Sequence, residues 1–373
     1  MKKVLLAVLA ILCLAACKKE GPQLFSPEKF NTEVDGVKVG LYTLHNGDIT
    51  MQVTNFGARV ASLFAPDRDG VLENIVVGHN NIKDYITPPG ERFLGANVGP
   101  VANRIGKARF VVDGVEYDTP VNDHGANTLH GGFLGIDMLP WDVVSYSDTT
   151  LVMELCHPDM QEGYPGNLFI QVIYTLTKDN SFRLDFSAVT DKPTPVNVTH
   201  HPFFCLRGEG NGSVEEYELC IHASSYIPID EESIPTGAVL PVEGTPFDFR
   251  EPHLIGERIG EDDEQLRNGN GYDHNWCIDC TSPEVEELCY VRDPVSGRVV
   301  TVLSDQIGLQ FYSGNFFAGG ENGSNGKPLG FRSSLALEAQ AWPDTPNNPQ
   351  FGDITLRPDD IYTQTTIYKF GTY

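Results

Sequence analysis

Arg109-Phe110-Val111-Val112-Asp113-Gly114-Val115-Glu116-Tyr117 sets two β-prone runs on either side of an Asp-Gly pair. A two-residue hairpin turn of type I′ needs positive φ at both central positions, which Asp and Gly tolerate. The stretch is therefore expected to fold back on itself as an antiparallel hairpin. Outward from it the same period of two recurs. Ile49-Thr50-Met51-Gln52-Val53, Leu151-Val152-Met153-Glu154-Leu155 and Phe182-Arg183-Leu184-Asp185-Phe186 alternate, the last following the turn pair Asp179-Asn180. Tyr290-Val291 and Arg298–Val302 flank Asp293–Gly297, a longer hairpin loop. Long helical patterns are missing, with short helical turns expected only near Ile82–Tyr85 and Glu257–Ile259.

With 373 residues, 37 of them Gly and 25 Pro, the chain has many turns and enough length for a large β core. No Pro/Gly-rich linker divides it, so residues 34–373 read as one β domain. Acids outnumber bases 51 to 26, for a formal net charge of −25. Such a polyanion repels phosphate backbones, which excludes a nucleic-acid partner and leaves neutral or cationic ligands.

The N-terminus reads as a processing segment, residues 1–16. Lys2 and Lys3 precede an apolar run, Val4–Leu12, too short to span a bilayer. Leu14-Ala15-Ala16-Cys17 resembles a bacterial lipobox, so Cys17 is the expected lipidation site and residues 17–33 the lipidated Cys and its tether. The implied localisation is exported and lipid-anchored to a bacterial membrane. The lipid would be the only membrane contact, because the acidic domain is a poor partner for anionic lipid. Six cysteines remain after Cys13 and Cys17. They permit disulfides without requiring them. Cys277-Ile278-Asp279-Cys280 runs into Thr281-Ser282-Pro283 rather than a helix, so a structural reading is favoured over a redox one.

Several chemistries fail on spacing. No G-x-S-x-G is present, although His130-Gly131-Gly132 resembles part of an oxyanion loop, and Gly326-Lys327-Pro328 is no P-loop. His200 and His201 are neighbours whose side chains diverge in a strand. One metal rarely takes both, and one buried and one exposed ring are expected. What stands out is polar residues in apolar or turn-rich settings: Asn103-Arg104, His201 before Pro202-Phe203-Phe204, Asp273, Gln310 and Glu338. A carboxylate in an apolar strand is costly unless partnered or functional. Alternation in Leu335-Ala336-Leu337-Glu338 puts Glu338 with Ala336, opposite the two leucines, and Pro202 keeps His201 extended. With Trp141, Trp276 and Trp342 as candidate sugar-stacking faces, these residues suggest an acid/base pair, His and Glu, acting on a polyol.

At these same residues the chain closely resembles the aldose 1-epimerase (galactose mutarotase) family. Matching stretches are Gly99–Ile105, Thr128–Gly132, Asn197–Leu206, Ile234–Arg250, Gly271–Trp276, Gly308–Phe316, Leu335–Asp344 and Ile354–Phe370, across roughly residues 34–373. The resemblance implies an all-β fold, a large antiparallel β-sandwich called a supersandwich, with a sugar cleft across one sheet. It implies an isomerase that interconverts the α and β anomers of free hexoses or pentoses, such as glucose or galactose. It places the general acid on His201 and the general base on Glu338. Asn103, Arg104, His130, Asp273 and Gln310 become the sugar-binding residues. Departures from the family pattern are His200, Pro202 and Ala341-Trp342, which bear on sugar preference. No cofactor is required by this chemistry. Ca²⁺ on the acidic surface is a secondary expectation, without an EF-hand-type loop to hold it. The pair needs an ionised Glu338 and a protonated His201 together, a state that mutual attraction favours. Two other readings compete: a β-sandwich glycoside hydrolase using Glu338 and Asp273, and a non-catalytic carbohydrate-binding lipoprotein.

Overall fold

Residues 21–280, 284–317 and 319–373 are described by the computed structural model. The expected processing segment, residues 1–16, and Cys17 lie outside them. Arg109–Val112 pairs antiparallel with Val115–Asp118, Val112 opposite Val115, around Asp113 at φ 51° and Gly114 at φ 80°. The Asp-Gly hairpin is thus formed as its turn chemistry requires.

The largest sheet has nine strands. Its middle strand is Tyr362–Thr372, between Ser181–Thr190 and Arg298–Ser304. Alternation decides the sheet's faces. Phe182, Leu184 and Phe186 are buried. Arg183 and Asp185 point the other way and bond to each other, Nε to Oδ2 at 2.7 Å. The hairpin over Asp293–Gly297 joins Glu286–Arg292 to Arg298–Ser304 in the same sheet. A five-stranded sheet runs in the order Leu240–Pro241, Ser225–Ile227, Asp273–Cys277, Gly308–Tyr312, Ala336–Gln340. A four-stranded sheet contains Ile49–Thr54 and Arg59–Pro66. All the strand ladders among the described residues are antiparallel, and the three sheets face one shared core. Val53 and Leu63, Tyr174 and Phe182, and Trp276, Leu309 and Leu337 belong to one contiguous cluster. Each such side chain contributes about 1.5–3 kcal/mol on burial.

The last three strands of the five-stranded sheet are buried at every residue. One face meets the core through Trp276, Leu309, Phe311 and Leu337. The opposite face carries Asp273, Gln310, Glu338 and Ala336. Ala336 packs in a second cluster with Phe30, Tyr85, Phe203, Tyr312 and Phe317. That face is where the polar residues of the sequence are gathered, and the parity expected for Glu338 is the parity found.

Four expectations need correction. The tether is packed from Phe25 onward. Phe25 exchanges backbone bonds with the Gln52 amide (2.7 and 3.1 Å), Phe30 is fully buried, and Thr32–Val34 pairs with Val37–Val39. Two phenylalanines in that segment bury too much apolar surface for it to remain a spacer. Trp141 and Trp276 are fully buried core residues whose indole N–H groups donate to Ile136 and Phe247 carbonyls, and Trp342 packs on Phe351. None is a sugar face. His200 and His201 are both buried, because each face of their short strand Thr199–His201 is covered. The helical turns appear as Lys83–Ile86 and Ile255–Arg258, but a third, Glu264–Asn268, was not anticipated. Asp263 caps it, accepting the Gln265 and Leu266 N–H groups. The six cysteines Cys156, Cys205, Cys220, Cys277, Cys280 and Cys289 are free.

Candidate active site

Seven chain segments converge on a hollow of about 90 Å³ over the polar face of the five-stranded sheet. Asp273, Gln310 and Glu338 come from three neighbouring strands, with Gln310 directly opposite Glu338 and Asn275 directly opposite Gln310. His201 ends the strand Thr199–His201, which pairs with Ala96–Val98. The Thr199 hydroxyl donates to the Ala339 carbonyl at 2.7 Å, tying that strand to the one bearing Glu338. The result is His201 Nε2 at 3.5 Å from Glu338 Oε1.

Asn103 and His130 are fixed by each other. The His130 N–H donates to the Asn103 carbonyl at 2.9 Å, and the Asn103 N–H donates to His130 Nδ1 at 3.1 Å. Both residues sit at positive φ, 60° and 50°, strained positions that the reciprocal bonds help hold. With Nδ1 accepting, the neutral His130 ring carries its proton on Nε2 and is a donor. Donor atoms of His130, His201 and Glu338 all lie within 4.8 Å of one another, a set resembling a metal site. Ligation through His130 Nε2 would require the other tautomer and the loss of the Asn103 bond, so the trio suits hydrogen bonding to hydroxyls better than a cation.

Arg104 and Asp273 form the other wall. Gln310 Nε2 donates to Asp273 Oδ1 at 2.7 Å, and Arg104 Nη1 lies 3.9 Å from Asp273 Oδ2. Arg104 Nε is held by Asp123 Oδ2 at 2.8 Å. A glycoside hydrolase would need Asp273 as a second reacting carboxylate. Here its oxygens are drawn toward Gln310 and Arg104, an arrangement suited to orienting hydroxyls.

Burial sets the protonation balance. His201 lies nearly parallel to the rings of Phe93 (centroids 5.9 Å) and Phe203 (4.8 Å). Desolvation lowers its pKa to about 3, against a weak opposing backbone hydrogen bond and with a small push from Arg59. Desolvation raises Glu338 well above the usual carboxylate range, helped by the charges of Asp273 and Glu91 and opposed by Arg104. This corrects the expectation that attraction favours the ion pair: burial wins, and both groups tend to neutrality. The neutral pair and the ion pair carry the same single proton, so passing between them needs no proton from solvent.

All seven sequence-predicted residues are therefore brought together, except that Gln310 works from behind Asp273 rather than from the cleft wall. The departures from the family pattern are not. His200 points into the core among Tyr174, Phe182 and Tyr368, and neither Pro202, Ala341 nor Trp342 lines the hollow. Missed residues are Glu91, Phe93, Leu129, Phe203, Tyr312 and Phe316, which complete the lining. Phe203 and Tyr312 each lie two positions after a predicted site residue, His201 and Gln310. Glu91 had no such signal, since it follows Pro88-Pro89-Gly90 in a loop.

Comparison with known proteins agrees with this geometry. Residues 40–369 match the family model described as aldose 1-epimerase. The galactose mutarotase of Rattus norvegicus is 38% identical over 336 residues, 90% of this chain and 95% of that protein. The aldose 1-epimerase of Escherichia coli (strain K12) is 36% identical over 339 residues, covering 90% and 96%. A crystal structure of an aldose epimerase homologue from C. elegans superposes with a TM-score of 0.82 at 28% identity, covering 90% and 99%.

Proposed function

The chain belongs to the aldose 1-epimerase family, and from that premise we propose that it interconverts the α and β anomers of a free aldose by acid/base ring opening in the His201–Glu338 cleft. The observation that carries the reading is the approach of His201 Nε2 to Glu338 Oε1 in a buried hollow beside hydroxyl-orienting groups. Glu338 takes the proton of the C1 hydroxyl while His201 gives one to the ring oxygen. The C1–O5 bond breaks as the C1–O1 bond becomes a carbonyl. Rotation about C1–C2 presents the other face of the aldehyde. The ring oxygen then attacks C1, returning its proton to His201, and the new O1 takes the proton from Glu338. Each transfer by a positioned group is worth roughly 10²–10⁴-fold. His130 Nε2–H, Arg104, Asn103 and Asp273 supply donors and acceptors for the remaining hydroxyls. Polarimetry of freshly dissolved α-glucose, α-galactose and xylose tests the reading: faster equilibration than in buffer is expected, and buffer rates for every aldose would refute it.

Two further outcomes follow. Asp273→Ala leaves sugar hydroxyls and the buried Gln310 Nε2 without their acceptor, so kcat/KM should fall by about 10–100-fold, with a modest fall in melting temperature. Equal turnover of every sugar would make Asp273 structural. The pH profile of kcat/KM, corrected for the uncatalysed rate, follows from the single shared proton. Well below the usual histidine range His201 gains a second proton and the base is lost. Above the raised pKa of Glu338 the pair loses its only proton and the acid is lost. The plateau should therefore extend well to the acid side of ordinary histidine titration. An acid limb near the usual histidine value of about 6.5 would contradict this balance.

The N-terminus supports an exported protein anchored through Cys17. Mass spectrometry of the mature protein should find lipid on Cys17 as the first residue, and Cys17→Ser should release the protein or block processing. An unmodified N-terminus elsewhere would refute the anchor.

A further inference from the structure

Glu91 stands in the cleft wall, where the Arg59 charge reaches it without forming an ion pair. It lines the same hollow as Arg104, His201, Asp273 and Glu338, and its Oε1 accepts the Phe93 N–H at 2.9 Å. The guanidiniums nearby are committed elsewhere. Arg92 donates to both oxygens of Asp137 at 2.8 Å. Arg59 reaches the same carboxylate at 3.3 Å and the Arg92 and Leu94 carbonyls at 2.7 and 3.2 Å. Arg104 is held by Asp123. Glu321 adds negative charge next to Glu91, accepting its N–H at 3.2 Å. Among the described residues Glu91 forms no ion pair.

The hollow thus gathers three carboxyl groups, Glu91, Asp273 and Glu338, against one guanidinium that Asp123 already holds. Burial raises all three carboxyls toward their neutral forms, and a cation placed beside them would favour the charged forms again. A further feature of the same hollow is a missing donor: Glu338 Oε2 is buried, only 2% of the residue is exposed, and that oxygen has no hydrogen-bond partner among the described residues. The neutral sugar hydroxyl offers one O–H, whereas an ammonium offers three N–H donors and a positive charge. A carboxylate offers neither and would meet like charge in a poorly solvated site. The chain's net charge of −25 favours a cationic ligand at longer range.

We propose that Glu91 is a specificity residue that draws an aldose bearing an ammonium group, a 2-amino-2-deoxyhexose, into this cleft and turns away an aldose bearing a carboxylate. The proposal rests on the aldose 1-epimerase reading and narrows its substrate class.

The test compares galactose, galactosamine and galacturonate at neutral pH on wild-type protein and Glu91→Gln, following anomer exchange by NMR. Glutamine keeps the shape and an acceptor for the Phe93 N–H. The ratio of kcat/KM for galactosamine to that for galactose should fall by about tenfold in Glu91→Gln, and the galacturonate ratio should rise. Both ratios staying within about twofold of wild type would overturn the proposal. If wild-type protein exchanged none of the anomers, the catalytic reading would fail by itself. The same two ratios, measured as binding constants by calorimetry, would then decide the role of Glu91. If Glu91→Gln did not fold, wild-type protein across pH would decide it. Its preference for galactosamine should decline as the sugar's amine deprotonates, and a preference that ignored that titration would count against Glu91.

Discussion

Glu338→Gln is expected to lower kcat for anomer exchange by at least about 10²-fold, with KM and folding little changed. Glutamine matches glutamate in shape and keeps a carbonyl oxygen toward His201 Nε2. It cannot accept the C1 proton, because an amide is not basic near neutral pH. The strand Ala336–Gln340 is buried at every residue and bonded on one side to Gly308–Tyr312, so the side chain has little freedom to move away. A loss confined to kcat would mark an interaction made in the transition state rather than in the sugar complex. Polarimetry on protein whose melting profile matches wild type is the measurement. A Glu338→Gln protein that exchanges anomers at near wild-type rate would remove the base from the mechanism.

His201→Asn should cost as much, at least about 10²-fold in kcat, for a different reason. Asparagine stays polar but has no titrating nitrogen to protonate the ring oxygen. It also gives up the contacts with the Phe93 and Phe203 rings, so a modest loss of stability should accompany it. The informative variant is the double one. His201 and Glu338 share one proton, so removing either disables both transfers. His201→Asn with Glu338→Gln should therefore be slower than either single variant by far less than the product of the two losses. Full multiplicativity would mean that the two groups act independently, and the shared-proton description would fall.

Much of this arrangement was legible in the sequence, and the limits have physical causes. Strand alternation put Glu338 on the Ala336 side of its strand, and that side is the cleft. The Asp113-Gly114 turn and the Asp293–Gly297 loop announced their hairpins because turn chemistry is local. The coming together of His130 and His201 was not local. It depends on the pairing of Thr199–His201 with Ala96–Val98 and on the Asn103–His130 bonds, which no periodicity encodes. The three tryptophans looked like sugar platforms because aromatic rings serve cores and ligands equally well. Here the indoles of Trp141 and Trp276 met backbone carbonyls inside the core. Protonation was read from the attraction between His201 and Glu338 alone. Sequence could not show that Phe93 and Phe203 flank the imidazole, and that burial reverses the balance. Phe25 and Phe30 were read by their polar neighbours as a tether, but their own packing decided where the folded body begins.

The central claim is that this cleft opens and closes the ring of a free aldose. NMR exchange spectroscopy of galactose at anomeric equilibrium tests it most directly, since no net reaction is needed. With catalytic amounts of wild-type protein, exchange between the C1 protons of the α and β forms should appear well above the buffer rate. It should be reduced at least about 10²-fold with Glu338→Gln. Galactose that binds, by line broadening or calorimetry, while its anomers exchange no faster than in buffer would contradict the account and leave a sugar-binding protein in its place.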